Sequence, residues 1–370
     1  MIGASSRIAQ MTDVTTLSAS GDSRQRVDLV FVAEGYTQEE RSKFLTDARN
    51  VRDYFFSSAN KALADPFTTY ASFFNVSAVF VASKESGYSS ETVKVDTAFG
   101  ATSHLSDGRL IYGDASAVQN AVNAALPSYA HEMIVTLINT TKYGGAGGSV
   151  AWVAAGNSAS YEVALHEIGH SFAGLQDEYT YGVADNAPTP DLSSSVHVST
   201  TSDPSAVPWK DWIGYQDSLG TVGVYEGGYY RTTGVWRATV NSKMKTLGYA
   251  FSAPEKEAFI NQFYRSIGQY AALQTDSPLA LHVLTPDNSL FAYRWSIEGK
   301  TVDGAGDTLD FGAFLRTKAD GAINSSVTLV VSDKIGMIRR ADVVAEASET
   351  LSYVISGMKV TLDATTADYA

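Results

Sequence analysis

The 370-residue chain contains no cysteine. Disulfides, thiolate metal ligands and a cysteine nucleophile are therefore excluded, although the compartment is not fixed by this. Positive charge is also scarce: 27 Lys and Arg stand against 40 Asp and Glu, a formal net charge of −13, with no long block of one sign. Such a surface repels phosphate backbones and anionic lipid, which argues against a nucleic-acid partner. Runs of 18 or more apolar residues are missing too, so no membrane span is expected. The opening stretch, "MIGASSRIAQMTDVTTLSASGDS", has no apolar core of a signal peptide. What remains is 44% hydrophobic and only 18% charged residues, the composition of a well-buried globular protein with room for two domains.

Apolar runs and helical patterns alternate through the first two thirds. "RVDLVFVAEGYT" (26–37) reads as a buried strand closed by a glycine turn, "FNVSAVFVAS" (74–83) as a second strand and "EMIVTLIN" (132–139) as a third. Between them, Phe44, Ala48, Val51 and Phe55 keep helical spacing behind a capping box of Thr37 and Glu40, and "SAVQNAVNAAL" (116–126) predicts another helix. This order argues for an α/β layer around a largely parallel sheet. "GGAGGSVAWVAAGN" (144–157) predicts a glycine-led edge strand, either ordinary or open to pairing with an extended peptide. Residues 177–239 lose periodicity and carry the aromatic segment "VYEGGYYRTTGVW", the composition of an ordered, functional loop region. A helix is expected over 252–273, with Ser252 as cap and Glu255 completing a box. Beyond Asp276, "LALHVL", "LFAYRWSIEG", "SVTLVVSDK", "MIRRADVV" and "LSYVISG" are separated by turn dipeptides and predict a small all-β sandwich.

Chemistry concentrates in "YEVALHEIGHSFAGLQDEY", Tyr161 to Tyr179. Leu165, Ile168 and Phe172 form a buried helical stripe, and His166 and His170, four apart, project together from a neighbouring face. Two imidazoles one turn apart can bind one zinc ion, with Glu167 beside it to accept a proton from water. Gly174 stops the helix, and Asp177 and Glu178 follow as candidates for a third ligand.

These residues resemble the IgA-peptidase-like metallopeptidases, bacterial zincins related to metzincins. The resemblance is carried by "VDLVFVAEGYTQEE", "FNVSAVFVASKESG", "VDTAFGA", "LIYGD", "KYGGAGG", "HEIGHSFAGLQDEY", "PWKDWIG", "GVYEGGYYRTTGVWR" and "SKMKTLGYAFSAPEKEAF", in order over about residues 26–265. It implies an α/β zincin-like catalytic domain, a mixed sheet with an active-site helix, over 26–275. An N-terminal extension (1–25) precedes it and an immunoglobulin-like β-sandwich (276–370) follows. One zinc ion per chain would sit on His166, His170 and an acid, with Glu167 as catalytic base. In metzincins the third ligand comes three residues after the glycine, which reaches Asp177 here. Glu178 is the alternative ligand, and the spared acid would orient a ligand histidine. Met244 is similar to the methionine of a Met-turn beneath the metal. Many members carry cysteines around this turn, where Ser242 and Ser252 stand instead.

The expected activity is a zinc endopeptidase acting on protein or peptide substrates, secreted, periplasmic or on the cell surface of a bacterium. Cleavage of immunoglobulin A is not carried over. Tyr225, Tyr229 and Tyr230, together with His197, are candidate transition-state stabilisers. Two alternatives are a catalytically idle zincin-like binding or adhesion protein, and a metal-dependent hydrolase of non-protein amides or glycans. The intact Glu167 argues against the first; a closed pocket in place of an open groove beside an edge strand would mark the second.

Overall fold

The computed structural model describes residues 12–104, 108–181, 187–277, 280–312, 314, 324–356 and 359–362. The chain divides into two compact units, Met1–Ser266 and Ile267–Ala370, so the boundary falls before Asp276, at the last residue of the helix of residues 253–267.

The first unit is built on a six-stranded mixed sheet. Its strands are β1 (Thr12–Ser18), β2 (Val27–Glu34), β3 (Phe74–Val81), β4 (Met133–Ile138), β5 (Gly145–Ala146) and β6 (Ala151–Ala154), in the spatial order β1-β3-β2-β4-β6-β5. The four inner strands are parallel, and β1 and β5 close the two edges antiparallel. Every residue of β2 is buried, as a central parallel strand covered on both faces requires. Two details differ from the sequence expectation. Residues 12–18, expected as part of an extension, are a sheet strand; they are mostly polar and none of residues 13–18 is buried, as suits an edge that hydropathy alone does not mark. Within 144–157 the edge is β5 alone, while the small-residue strand β6 lies inside, against β4.

Helices cover both faces. On one side α1 (Arg41–Phe56) starts behind the Thr37–Glu40 box, where the Thr37 N–H donates to Glu40 Oε2 at 2.9 Å, and Phe44 packs on Tyr36 and Phe80. On the other, α2 (Ala115–Ala125) buries Val118, Ala121 and Val122 against Val30, Val32, Val79 and Trp152. The site helix α3 (Ser160–Ser171) follows β6 and runs beside α1, with Tyr54 stacked on Tyr161 at 5.1 Å. Phe67, Phe74, Phe259 and Phe263 join α4 (Ala253–Ile267) to the loop before β3. The helix of 252–273 thus ends at Ile267. Only half of its expected box forms: the Ser252 N–H donates to Glu255 Oε2, while Ser252 Oγ is buried without a partner.

The second unit holds a three-stranded antiparallel sheet (Ala272–Ser277, Ala280–Leu284, Thr308–Asp310) and a five-stranded one centred on Asn324–Asp333. It also contains a helix, Ala341–Glu346, where "MIRRADVV" predicts a strand. Arg340 in extended backbone and Asp342 in the first turn start that helix, and only Val343 is buried, so the alternation had no sheet to serve.

Candidate metal centre

Local chemistry sets the geometry of α3. Leu165 and Ile168 are fully buried, which rolls His166 and His170 toward a cleft of about 630 Å³. Gly169 is required by packing: a Cβ there would lie 2.9 Å from Met244 Sδ, so the helix rests directly on the buried methionine. Gly147, past the end of β5, is required similarly, since a Cβ would come within 2.7 Å of His170 Cβ. The edge strand therefore runs tight along the histidine face. Gly174 takes φ +66°, in the left-handed region, and turns the chain back over the helix end.

His166 Nε2 and His170 Nε2 lie 3.2 Å apart, and Asp177 Oδ1 stands 3.1 and 3.3 Å from them. Both outer ring nitrogens are occupied: His166 Nδ1 donates to the Lys243 carbonyl at 3.1 Å and His170 Nδ1 to the Leu175 carbonyl at 2.7 Å. In their neutral form, the form a metal binds, both rings therefore turn lone pairs inward. Asp177 Oδ1 is buried and accepts no hydrogen bond. Three acceptors facing one another with no proton between them repel unless a cation joins them. For zinc bonds of roughly 2.0–2.1 Å, tetrahedral ligand atoms stand about 3.3 Å apart, so the donor set fits. Glu167 lies on the cleft wall. Burial raises its carboxyl above the ordinary range, the two histidines opposing.

A second group of metal-capable residues lies immediately behind. Glu178, His197 and Glu255 are fully buried around Ser242. His197 Nδ1 is 3.0 Å from Glu178 Oε1 and 3.4 Å from Glu255 Oε1, and Ser242 Oγ is 2.8 Å from a carboxyl oxygen of each glutamate. The Gln176 N–H donates to His197 Nε2 at 2.9 Å, which places the ring proton on Nδ1 and leaves no lone pair facing the acids. No metal fits here. Burial opposes charge on His197 while both glutamates pull its pKa up, yet a second ring proton would confront the Gln176 N–H. The single serine proton can serve only one of the two carboxyls. Burial and then Glu255 push the Glu178 carboxyl upward, while burial of Glu255 is outweighed by bonds from His197 and the Ser252 N–H, which hold it down.

This group aims the third acid. Gln176 is tied to His197 and the Glu178 N–H donates to the Met244 carbonyl at 2.9 Å, so residues on both sides of Asp177 are pinned. Glu178 meets neither histidine of the cleft. The expectation that the spared acid orients one of them fails, because backbone carbonyls already take both Nδ1–H groups. Ser242 bridges the two carboxyls.

The aromatic segment divides. Tyr230 donates its phenol proton to Asp177 Oδ2. Tyr229 lines the cleft with its ring against Leu192, Val198 and Val235. Both take left-handed backbone, φ +48° and +66°, rare for bulky residues. Bonds from the Tyr229 N–H to the Asp177 carbonyl and from the Tyr230 N–H to the Tyr179 carbonyl hold them there. Tyr225 instead donates to the Thr221 carbonyl and does not line the cleft, and His197 is sealed in the buried group; neither reaches the centre. One residue near the centre was not singled out in the sequence: Tyr179, whose hydroxyl is 3.0 Å from His166 Nε2. A signal existed, because alternate residues of an extended segment face the same side, and Tyr179 follows Asp177 by two.

Residues 15–222, more than half of the chain, match the family described as IgA Peptidase M64, and the chain belongs to that family. It is accordingly a peptidase of a metallopeptidase family, a hydrolase with protein substrates. Comparison with curated proteins gave no match. Among the described residues no helix is long and apolar enough to cross a membrane.

Proposed function

We propose that the chain is a zinc endopeptidase with a zincin-like catalytic domain, holding one zinc ion on His166 Nε2, His170 Nε2 and Asp177 Oδ1. The observation that carries this reading is the trio of inward-facing acceptors, one of them an orphaned buried carboxylate oxygen, beside Glu167 in an open cleft. Bound zinc supplies Lewis acidity, drawing the pKa of water toward neutrality and polarising a carbonyl. Glu167 takes the proton of the attacking water and passes it to the leaving amine; a carboxyl raised by burial suits both halves of that task. Tyr230 holds the outer oxygen of Asp177, so that Oδ1 faces the histidines. Tyr229, on the cleft wall, is the remaining expected tyrosine for the developing oxyanion. Met244 packs under α3 at Gly169 and takes no ligand role.

Support for a peptide substrate, against a compact amide or glycan, comes from the cleft's flank. Gly145 to Gly148 line it beside the histidines, an edge along which an extended chain can lie. An idle binding role is disfavoured by Glu167, which a silent site does not need. The test is metal content of the purified full chain together with digestion of casein or gelatin, with Glu167→Ala as control. One equivalent of zinc and chelator-sensitive cleavage are expected; a protein that takes up no zinc at neutral pH ends the reading.

A further inference from the structure

We infer that the phenol oxygen of Tyr179 is a fourth protein donor to the metal of this centre. The inference rests on the zinc reading above and adds a residue to it.

The Tyr179 hydroxyl stands 3.0 Å from His166 Nε2, close to the 3.1–3.3 Å that separates the three proposed ligand atoms from one another. Its ring is fixed. It lies nearly parallel to the His166 ring (14°, centroids 5.9 Å) and to Tyr181 (12°, 5.3 Å), with Tyr230 edge-on at 6.0 Å. Its backbone carbonyl accepts the Tyr230 N–H at 2.7 Å. These contacts set the phenol oxygen beside His166 Nε2 through ring packing and the backbone.

Occupancy of His166 decides what the hydroxyl does. With no ion present, its proton points at the Nε2 lone pair. Once that lone pair is given to a metal, the hydroxyl has lost its acceptor and its oxygen faces the cation, in a position fixed by the same rings. Coordination would release its proton to the water of the open cleft and leave the phenol oxygen as a donor beside His166. Tyr230 cannot replace it, since its phenol is committed to the outer oxygen of Asp177. Four protein donors would close the centre as in structural zinc sites, whereas catalytic sites keep a position for substrate or water. Tyr179 is the donor able to yield that position, because the two imidazoles and the aspartate are each anchored through a second atom.

The experiment loads full-length protein with copper(II) and records its visible absorption, alongside Tyr179→Phe and Tyr230→Phe. A phenolate-to-copper charge-transfer band is expected in the parent and in Tyr230→Phe, and its loss in Tyr179→Phe. Zinc affinity of Tyr179→Phe, by competition with a chromophoric chelator, should fall about 10-fold, the lower end of what support residues cost. Copper bound by the parent without such a band overturns the inference and leaves the zinc centre standing, whether or not the variant folds. A band that survives in Tyr179→Phe and vanishes in Tyr230→Phe also overturns it, reassigning the donor. Failure of the parent to bind either metal overturns the inference and the zinc reading together.

Discussion

Asp177 and Glu178 are adjacent carboxylates, and they enter two groups of almost the same composition. Asp177 joins two histidines and Glu178 joins a histidine and a second glutamate. The groups differ in where the protons are. Around Asp177, carbonyls occupy both outer nitrogens, so neutral rings leave three inner acceptors facing each other with no proton of their own to share. Around Glu178, an outer N–H takes the far nitrogen of His197, so the inner nitrogen carries the proton and the group satisfies itself. A backbone carbonyl in one place and a backbone N–H in the other separate the proposed metal centre from a hydrogen-bonded strut.

The largest effect should come from removing the orphaned acceptor. Asp177→Ala should lose stoichiometric zinc at neutral pH, measured by metal analysis after dialysis. Glu178→Ala should keep it, with affinity lowered roughly 10- to 100-fold because the pinned segment loosens. The reverse result would exchange the roles of the two groups. Next in size, Glu167→Ala should retain zinc and lose on the order of 100- to 10,000-fold in peptide hydrolysis, since a base is removed and no proposed ligand is touched. Near-parent turnover would move the base elsewhere.

Two smaller effects sharpen the contrast. His197→Ala should destabilise the protein by about 1–3 kcal/mol in denaturant titration even without zinc, because buried acceptors lose their donor. A loss seen only in the zinc-loaded protein would make His197 part of the metal centre. Smallest should be Glu178→Gln. If the glutamate is protonated in the fold, a neutral amide of the same shape supplies its donor, and stability should change by less than about 1 kcal/mol. A loss as large as that of His197→Ala would show that the carboxylate is ionised and the proton lies elsewhere.

Local periodicity made the helix of His166, Glu167 and His170 readable, because the i, i+4 relation is fixed by helix geometry whatever surrounds it. The buried parallel strands were readable for a similar reason: a strand covered on both faces must be apolar throughout, as β2 is. Strand β1 was not, since an edge strand made mostly of polar residues passes for a loop. The helix at 341–346 was missed because six residues with one buried side chain carry no period to detect. Tyr225 and Tyr230 could not be told apart in a segment where only the left-handed turn at Tyr229 and Tyr230 decides which ring swings inward.

By itself, then, the sequence determined the chemistry available: no thiols, two imidazoles one turn apart with a carboxylate between them, and a glycine stop followed by two acids. Tertiary structure decided how that chemistry was divided. Which acid faces the histidines, why His197 supports the centre from behind, and how Tyr179 comes to lie against His166 all depend on partners distant in the chain. Lys243, Met244 and Glu255 supply those partners from the turn and helix that close over α3. A side chain's protonation state and direction are set by the donors and acceptors that meet it, and for these residues the fold alone brings them together.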